Sequence, residues 1–365
     1  MKVTNIIQLL EELASTSLQE SYDNCGLLTG NDQWVCTGIL CTLDVTEEIV
    51  QEAKQKGCNL IVAHHPVIFG GLKKITGRNY VERTIIAAIK NDIAIYAIHT
   101  SLDNVIEGVN GRIADTIGLV NRTVLQPKNN LLQKLYTFVP INHIDKVRQA
   151  LFDAGAGNIG HYSECSFAVA GDGTFKASKN AQPFVGAIDQ RHIEPEIKIE
   201  VIFPTYLQQN IVKALKIAHP YEEVAYDIVA LENTYAAIGS GLIGEMSEPI
   251  EEEKFLQLLK EKFQLKVIRH TALRGKPIKR VALCGGAGSF LTGKAIAAKA
   301  DIYISADYKY HEFFDAENNI IIADIGHWES EQYTIDILTE VLQSNFPTFA
   351  VLKTSISTNP VFYFC

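Results

Sequence analysis

The chain has 365 residues, 47% of them hydrophobic, more than one core usually organises, so two or three domains are expected. A net charge of -9 and a sequence pI near 5.6 argue against a broad phosphate-binding surface, and nucleic acid is not an expected partner. Seven cysteines with no Cys-x-x-Cys pair read as reduced, mostly buried thiols, and no uncharged stretch reaches the ~18 residues needed to cross a bilayer, so a soluble, cytoplasmic protein is expected.

The opening MKVTNIIQLLEELAST reads as an amphipathic helix, because Glu11 and Glu12 interrupt any apolar leader-like run. GILCTLDVT is an apolar strand whose end delivers Asp44, and TEEIVQEAKQKG is a helix with Gly57 beyond its end. NLIVA is a buried strand ending in His64, His65 and Pro66. After the helix VERTIIAAIKND, the strand IAIYAI ends in His99, Thr100, Ser101 and Asp103. Strand and helix alternating in this way imply parallel pairing, with ligands gathered at the carboxyl edge.

The polar stretch QPKNNLLQKL, residues 126–135, marks a boundary. Beyond it two strand-helix units, VPINHIDKVRQALFDAG and FPTYLQQNIVKALKIAHP, share a pattern and suggest an inserted split β-α-β sandwich of the ferredoxin-like kind. The alternating rhythm then returns with the helix EEEKFLQLLKEKF and the strand RVALCGGAGS, followed by the helix KAIAAKA and the strands DIYISAD and IIIADIGH. A helix, SEQYTIDILTEVLQSN, and a last strand, FAVLKTSIS, complete it. The expected division is an α/β body in two parts, 1–128 and 237–365, with mostly parallel sheets, interrupted by an α+β insertion at 129–236.

Three clusters carry the chemistry: HHP at 64–66, HTSLD at 99–103 and GHWESE at 326–331, each following an apolar run. Ionisable groups beside low dielectric are costly unless a metal or counter-charge compensates them. Adjacent histidines on extended backbone point to opposite sides, so His64 and His65 naturally serve two different ions or two faces of one site. His327 and Glu331, four residues apart in a helical pattern, share a face, and Glu331 could bridge two ions through its two oxygens. Three imidazoles and two carboxylates suit zinc, iron, manganese or nickel, and five ligands are too many for one catalytic zinc. His64, His65, Asp103, His327 and Glu331 are therefore the expected ligands of two divalent ions per chain that activate water for hydrolysis.

Single histidines carry much less weight, since a lone one is usually a hydrogen-bonding residue, as is expected of His143, His161, His192, His219 and His270. His99 fits either a second shell or proton transfer, or a structural role. Asp307 fits a second shell, and His311 is not expected to ligate. Gly285, Gly286 and Gly288 fit either an anion cradle or a tight strand-to-helix turn.

HHPVIFGG, AIHTSLDN and GHWESEQ, with SYDNCGLLTG and ISADYKYHE, resemble the motifs of the NIF-three-like dinuclear-metal family, over essentially the whole chain. Bacterial members of that family carry the name GTP cyclohydrolase I type 2 homologue. The resemblance implies the same five ligands, with Glu331 rather than Glu329 binding metal. It further implies a CutA-like or PII-like insertion, a hexameric ring, and hydrolytic opening of a guanine nucleotide ring at C8 with release of formate. A rival expectation is a metal-stapled scaffold or regulatory ring whose insertion senses a ligand. No catalytic residue is assigned.

Overall fold

The computed structural model describes residues 1–364, so Cys365 lies outside the described residues. The chain packs as two compact units, one made of residues 1–127 and 237–365, the other of residues 128–236.

The first unit begins with helix α1 (Val3–Leu13) and an edge strand β1 (Gly26–Thr29). Strands β2 (Ile39–Thr42), β3 (Leu60–Ala63) and β4 (Ala94–Ala97) follow, and every residue of these three is buried. They pair in parallel, which requires crossovers, supplied by α2 (Glu47–Gln55) and α3 (Tyr80–Lys90). The side chains of Thr46 and Asn79 cap these helices by accepting from the Ile49 and Glu82 N–H groups. Gly57 follows α2 at a φ of 72°, where the left-handed backbone favours glycine. Strand faces alternate, so Leu40, Ile61 and Ile95 pack against Ile49, Val50, Ala53 and Ile85 of the crossover helices. Ile39, Cys41, Leu60, Val62 and Tyr96 face the other way, into the layer between the two sheets of this unit.

Short helices α4 (His99–Asp103) and α5 (Val109–Ile117) lead to strand β5 (Val120–Lys128). The second unit then runs β6 (Leu132–Pro140), α6 (Ile144–Asp153), β7 (Ser166–Lys176), β8 (Arg191–Pro204), α7 (Gln208–Ala218) and β9 (Tyr226–Leu231). Its sheet is wholly antiparallel in the order β7-β8-β6-β9. One face carries both helices over a core of Leu135, Val139, Leu151, Val201, Phe203 and Leu215.

The chain returns through β10 (Tyr235–Ile250), α8 (Glu252–Phe263), β11 (Arg269–His270), β12 (Ile278–Ala287), α9 (Thr292–Ala297), β13 (Ile302–Ala306), β14 (Ile321–Asp324), α10 (His327–Glu331), α11 (Thr334–Asn345) and β15 (Val351–Lys353). The two sheets of the first unit have the orders β1-β4-β3-β2-β15 and β11-β14-β13-β12-β10-β5. Only the first is mostly parallel; in the second, β10 runs antiparallel to β12 and β11 antiparallel to β14, so the fold is a mixed α/β one. Among the described residues no helix is long and apolar enough to cross a membrane.

Several local expectations need correction. The segment 126–135 does contain the division between the two units, but it is not irregular, because β5 runs through Lys128 and β6 starts at Leu132, with Asn130 turning at a φ of 60°. Strand pairing overrides polar composition there. The helix expected from SEQYTIDILTEVLQSN is two, α10 and α11, and the HTSLD cluster forms a helical turn rather than a frayed strand end. β1, β5 and β10 escaped the sequence reading, since none has the short, uniformly apolar character of a buried parallel strand.

Candidate metal centre

Backbone pairing continues past the ends of the parallel strands and sets the site. The N–H groups of His64 and His65 donate to the carbonyls of Thr42 and Leu43, and the His99 N–H donates to the His64 carbonyl. Both histidines are thereby held at the carboxyl edge of the first sheet, with ring centroids 4.7 Å apart and planes tilted by 50°. α4 carries Asp103 to the same edge, and α10, entered through Gly326 at a φ of 89°, brings His327 and Glu331 from the second sheet.

The other four residues converge on the Glu331 carboxylate, which is 3% exposed. Its Oε1 lies 3.8 Å from His64 Nε2, which is itself 3.6 Å from Asp103 Oδ1. Its Oε2 lies 3.0 Å from His65 Nε2 and 3.2 Å from His327 Nε2. Each oxygen of one carboxylate thus faces a separate pair of donors. His64 is fully buried, whereas the His65 and His327 side chains are 13% and 38% exposed, so one set lies inside and the other opens outward. His64, His65 and His99 form a third close group.

A ring of aspartates orients the imidazoles. Asp44 Oδ1 lies 2.8 Å from His65 Nδ1, Asp307 Oδ2 lies 2.6 Å from His327 Nδ1, and Asp23 Oδ1 lies 2.8 Å from His99 Nδ1. An imidazole that gives its Nδ1 proton to a carboxylate presents a lone pair at Nε2. Thr358 in turn donates to Asp44 Oδ2 at 2.6 Å. Asp307 stands where the sequence suggested a second shell. Asp23 and Asp44 were assigned no role, although both lie in motifs that the sequence reading had singled out.

Electrostatics match the geometry. Burial lowers the His64 pKa to about 4, leaving a neutral imidazole. At His65 and His327 burial also disfavours the charge, but Glu331 with Asp44 or Asp307 overrides it, and the pKa values rise to about 10 and about 11. Burial pushes Asp103 well above the ordinary carboxyl range, and neighbouring Glu331 adds to the effect. Glu331 falls well below that range despite burial, held there by His327 and His65.

Buried polar atoms ordinarily find partners, yet His64 Nδ1 and Nε2 and Asp103 Oδ1 make no hydrogen bond. A Cβ on Gly286 would lie 2.4 Å from Glu331 Oε1, so glycine leaves that oxygen its room. The donor set and its orphaned atoms fit divalent transition metals. Beside the cluster is a cavity of about 1120 Å³, bordered by His65, His99, Phe69, Arg269 and Trp328.

The glycine-rich turn is structural. The N–H groups of Gly285 and Gly286 donate to Asn110 Oδ1 and Ser330 Oγ, so neither is free to meet an anion. His311 packs with Tyr310 and Phe314, outside the cluster. His219 donates or accepts at both ring nitrogens, toward the Phe138 carbonyl and the Tyr221 N–H, as a core histidine does.

Comparison with known proteins places the chain. A Staphylococcus epidermidis protein named GTP cyclohydrolase 1 type 2 homolog is 34% identical, with all of both chains covered, and a Halalkalibacterium halodurans protein of the same name is 37% identical over 99% of each. Among solved structures, a Bacillus cereus protein related to NIF3 superposes with a TM-score of 0.88 at 36% identity, covering 100% of this chain and 99% of that one. A Staphylococcus aureus hypothetical protein reaches 0.76 at 28% identity, with the same coverage. The profile of the Duf34/NIF3 (NGG1p interacting factor 3) family matches residues 1–360, and the chain belongs to that family.

Proposed function

We propose that the chain is a dinuclear metal-dependent hydrolase. His64 and Asp103 with Glu331 Oε1 would hold one divalent ion, and His65 and His327 with Glu331 Oε2 the other, drawn from zinc, iron, manganese and nickel. The single supporting observation is the carboxylate whose two oxygens face two donor pairs, with unpartnered buried atoms of His64 and Asp103 on its inner side. When bound, such ions lower the pKa of water toward neutrality and polarise an electrophile.

The chain's own residues supply positioning. Asp44 and Asp307 hold His65 and His327 with their Nε2 atoms turned inward. His99, gripped at Nδ1 by Asp23, is placed to carry a proton between the cluster and the cavity at its other nitrogen. The relatives' name points to a guanine nucleotide as substrate, and the cavity has the volume for one. The reaction would add one water across a ring C–N bond at C8, leaving a formamide, and a second water would cleave the remaining C–N bond to release that carbon as formate.

Residues 129–236 we take as a ferredoxin-like insertion of the CutA or PII kind, interrupting a body of 1–128 and 237–365. Its β-α-β-β-α-β order supports this reading. A homohexamer and a cytoplasmic location complete the proposal; six free cysteines among the described residues suit a reducing compartment.

The test is metal analysis of protein purified without chelators, followed by incubation with GTP and zinc, manganese, iron or nickel in turn. Two ions per chain and formate release support the proposal. If no metal sustains turnover while His65→Ala sharply lowers the melting temperature, the metals staple a scaffold instead.

A further inference from the structure

The second unit contains a cavity of about 780 Å³, within the size range of small-molecule sites. It lies over the sheet face opposite the two helices. On that face β7 runs beside β8 with Gly171 opposite Glu196 and Gly173 opposite Glu194. Neither glycine has a side chain to fill the space. A Cβ on Gly173 would sit 2.1 Å from Glu196 Oε2, so glycine there leaves room for the carboxylate. Phe175, Phe184 and Tyr221 form an aromatic wall, with Tyr221 6.3 Å from Phe175 and 6.2 Å from Phe184 between ring centroids. The loop that carries Phe184 is tethered where the Gln182 N–H donates to Glu222 Oε1.

Glu196 lines this cavity and is only 9% exposed. The Tyr221 hydroxyl donates to its Oε1 at 2.8 Å. Among the described residues Oε2 accepts no hydrogen bond, and Glu196 forms no ion pair. Lys198, two residues along the same face, is committed elsewhere: its ammonium donates to Glu200 Oε1 at 2.9 Å and sits 4.2 Å above the Tyr136 ring. Neighbouring His219 brings no charge, because one ring nitrogen accepts from the Tyr221 N–H while the other donates to a carbonyl. A carboxylate held this way, nine-tenths buried with one neutral partner and its other oxygen facing the cavity, favours a cation placed there. Aromatic faces beside it favour a cation with an apolar body.

We propose that this cavity binds a small organic amine, with the ammonium against Glu196 Oε2 and the apolar body against Phe175, Phe184 and Tyr221. Every residue that lines it belongs to the second unit.

The experiment is isothermal titration of the full-length protein with 2-phenylethylamine, against the uncharged 2-phenylethanol and the anionic 3-phenylpropionate. The amine is expected to bind and the other two to bind at least about tenfold more weakly, the worth of one charge-assisted hydrogen bond. Glu196→Gln, which keeps the Tyr221 contact, should weaken the amine by about tenfold or more while leaving metal content unchanged. Phe184→Ala, at a half-exposed position, should weaken it without loss of folding, and Glu331→Gln should leave it intact. Absence of amine binding, equal binding of the alcohol, preference for the carboxylate, or full affinity in Glu196→Gln would each overturn the assignment.

Discussion

Buried carboxylates in the two units are neutralised in different ways, and the contrast tells what each place is for. In the first unit Glu52, 6% exposed, accepts from Lys56 Nζ, the Ser355 N–H and hydroxyl, and the Thr354 hydroxyl. The protein satisfies that charge by itself, and Glu52 simply ties the C-terminal tail down. Glu331, in the same unit, sits among imidazoles, 3.0 Å from His65 Nε2 and 3.2 Å from His327 Nε2, beside atoms of His64 and Asp103 that make no hydrogen bond. Its surroundings are nitrogen and oxygen ligands, the environment of an inorganic cation. Glu196, in the second unit, has only a phenol for a partner and aromatic rings for walls. Burial is common to all three; the chemistry of the neighbours distinguishes an anchor from the two places proposed as sites.

Removing the shared oxygens should break the contrast most sharply. Glu331→Gln cannot bridge, and metal content measured by mass spectrometry is expected to fall below one ion per chain, with hydrolytic turnover lost. Full retention of both ions would overturn the bridging assignment. Next in size are the aspartates behind the histidines: Asp44→Asn and Asp307→Asn should each weaken metal binding about 10- to 100-fold in a competitive chelator titration, without unfolding the chain. Unchanged affinity would mean that the imidazoles are positioned by packing alone.

Glu52 sharpens the comparison through pH. Donors from Lys56, Ser355 and Thr354 outweigh burial and hold its pKa at about 2, below the ordinary 4.5. Because the folded value is depressed, its stabilisation is present above pH 4.5 and fades as pH falls toward 2. The melting temperature of Glu52→Gln should therefore lie below that of the parent at neutral pH, and the gap should narrow on acidification below 4.5. A gap that is constant with pH would assign the effect to shape rather than charge. The smallest expected effect belongs to Thr358, whose hydroxyl steadies the outer oxygen of Asp44. Thr358→Val should weaken metal binding by about fivefold, one hydrogen bond's worth, by the same titration.

The chain's local patterns already held much of this protein. Uniformly apolar runs such as Leu60–Ala63 and Ala94–Ala97 declared buried parallel strands, because only such strands tolerate apolar side chains on both faces. The polar clusters that end them declared a carboxyl-edge site, and helical spacing put His327 and Glu331 on one face. What local pattern could not carry was anything dependent on which edge meets which. That Glu331 divides its oxygens between His64 and His65 follows from the packing of the two sheets of the first unit, brought together by the apolar layer between them. Asp23 and Asp44 acquire their imidazole partners only because they fall beside histidines 76 and 21 residues away. Glu196 reads as one more exposed charge on an alternating strand until Gly173 and Tyr221 are seen to enclose it. Periodicity is a property of neighbours along the chain, whereas desolvation and the partners that answer it are set by neighbours in space, and only the two together tell an anchor such as Glu52 from a candidate site.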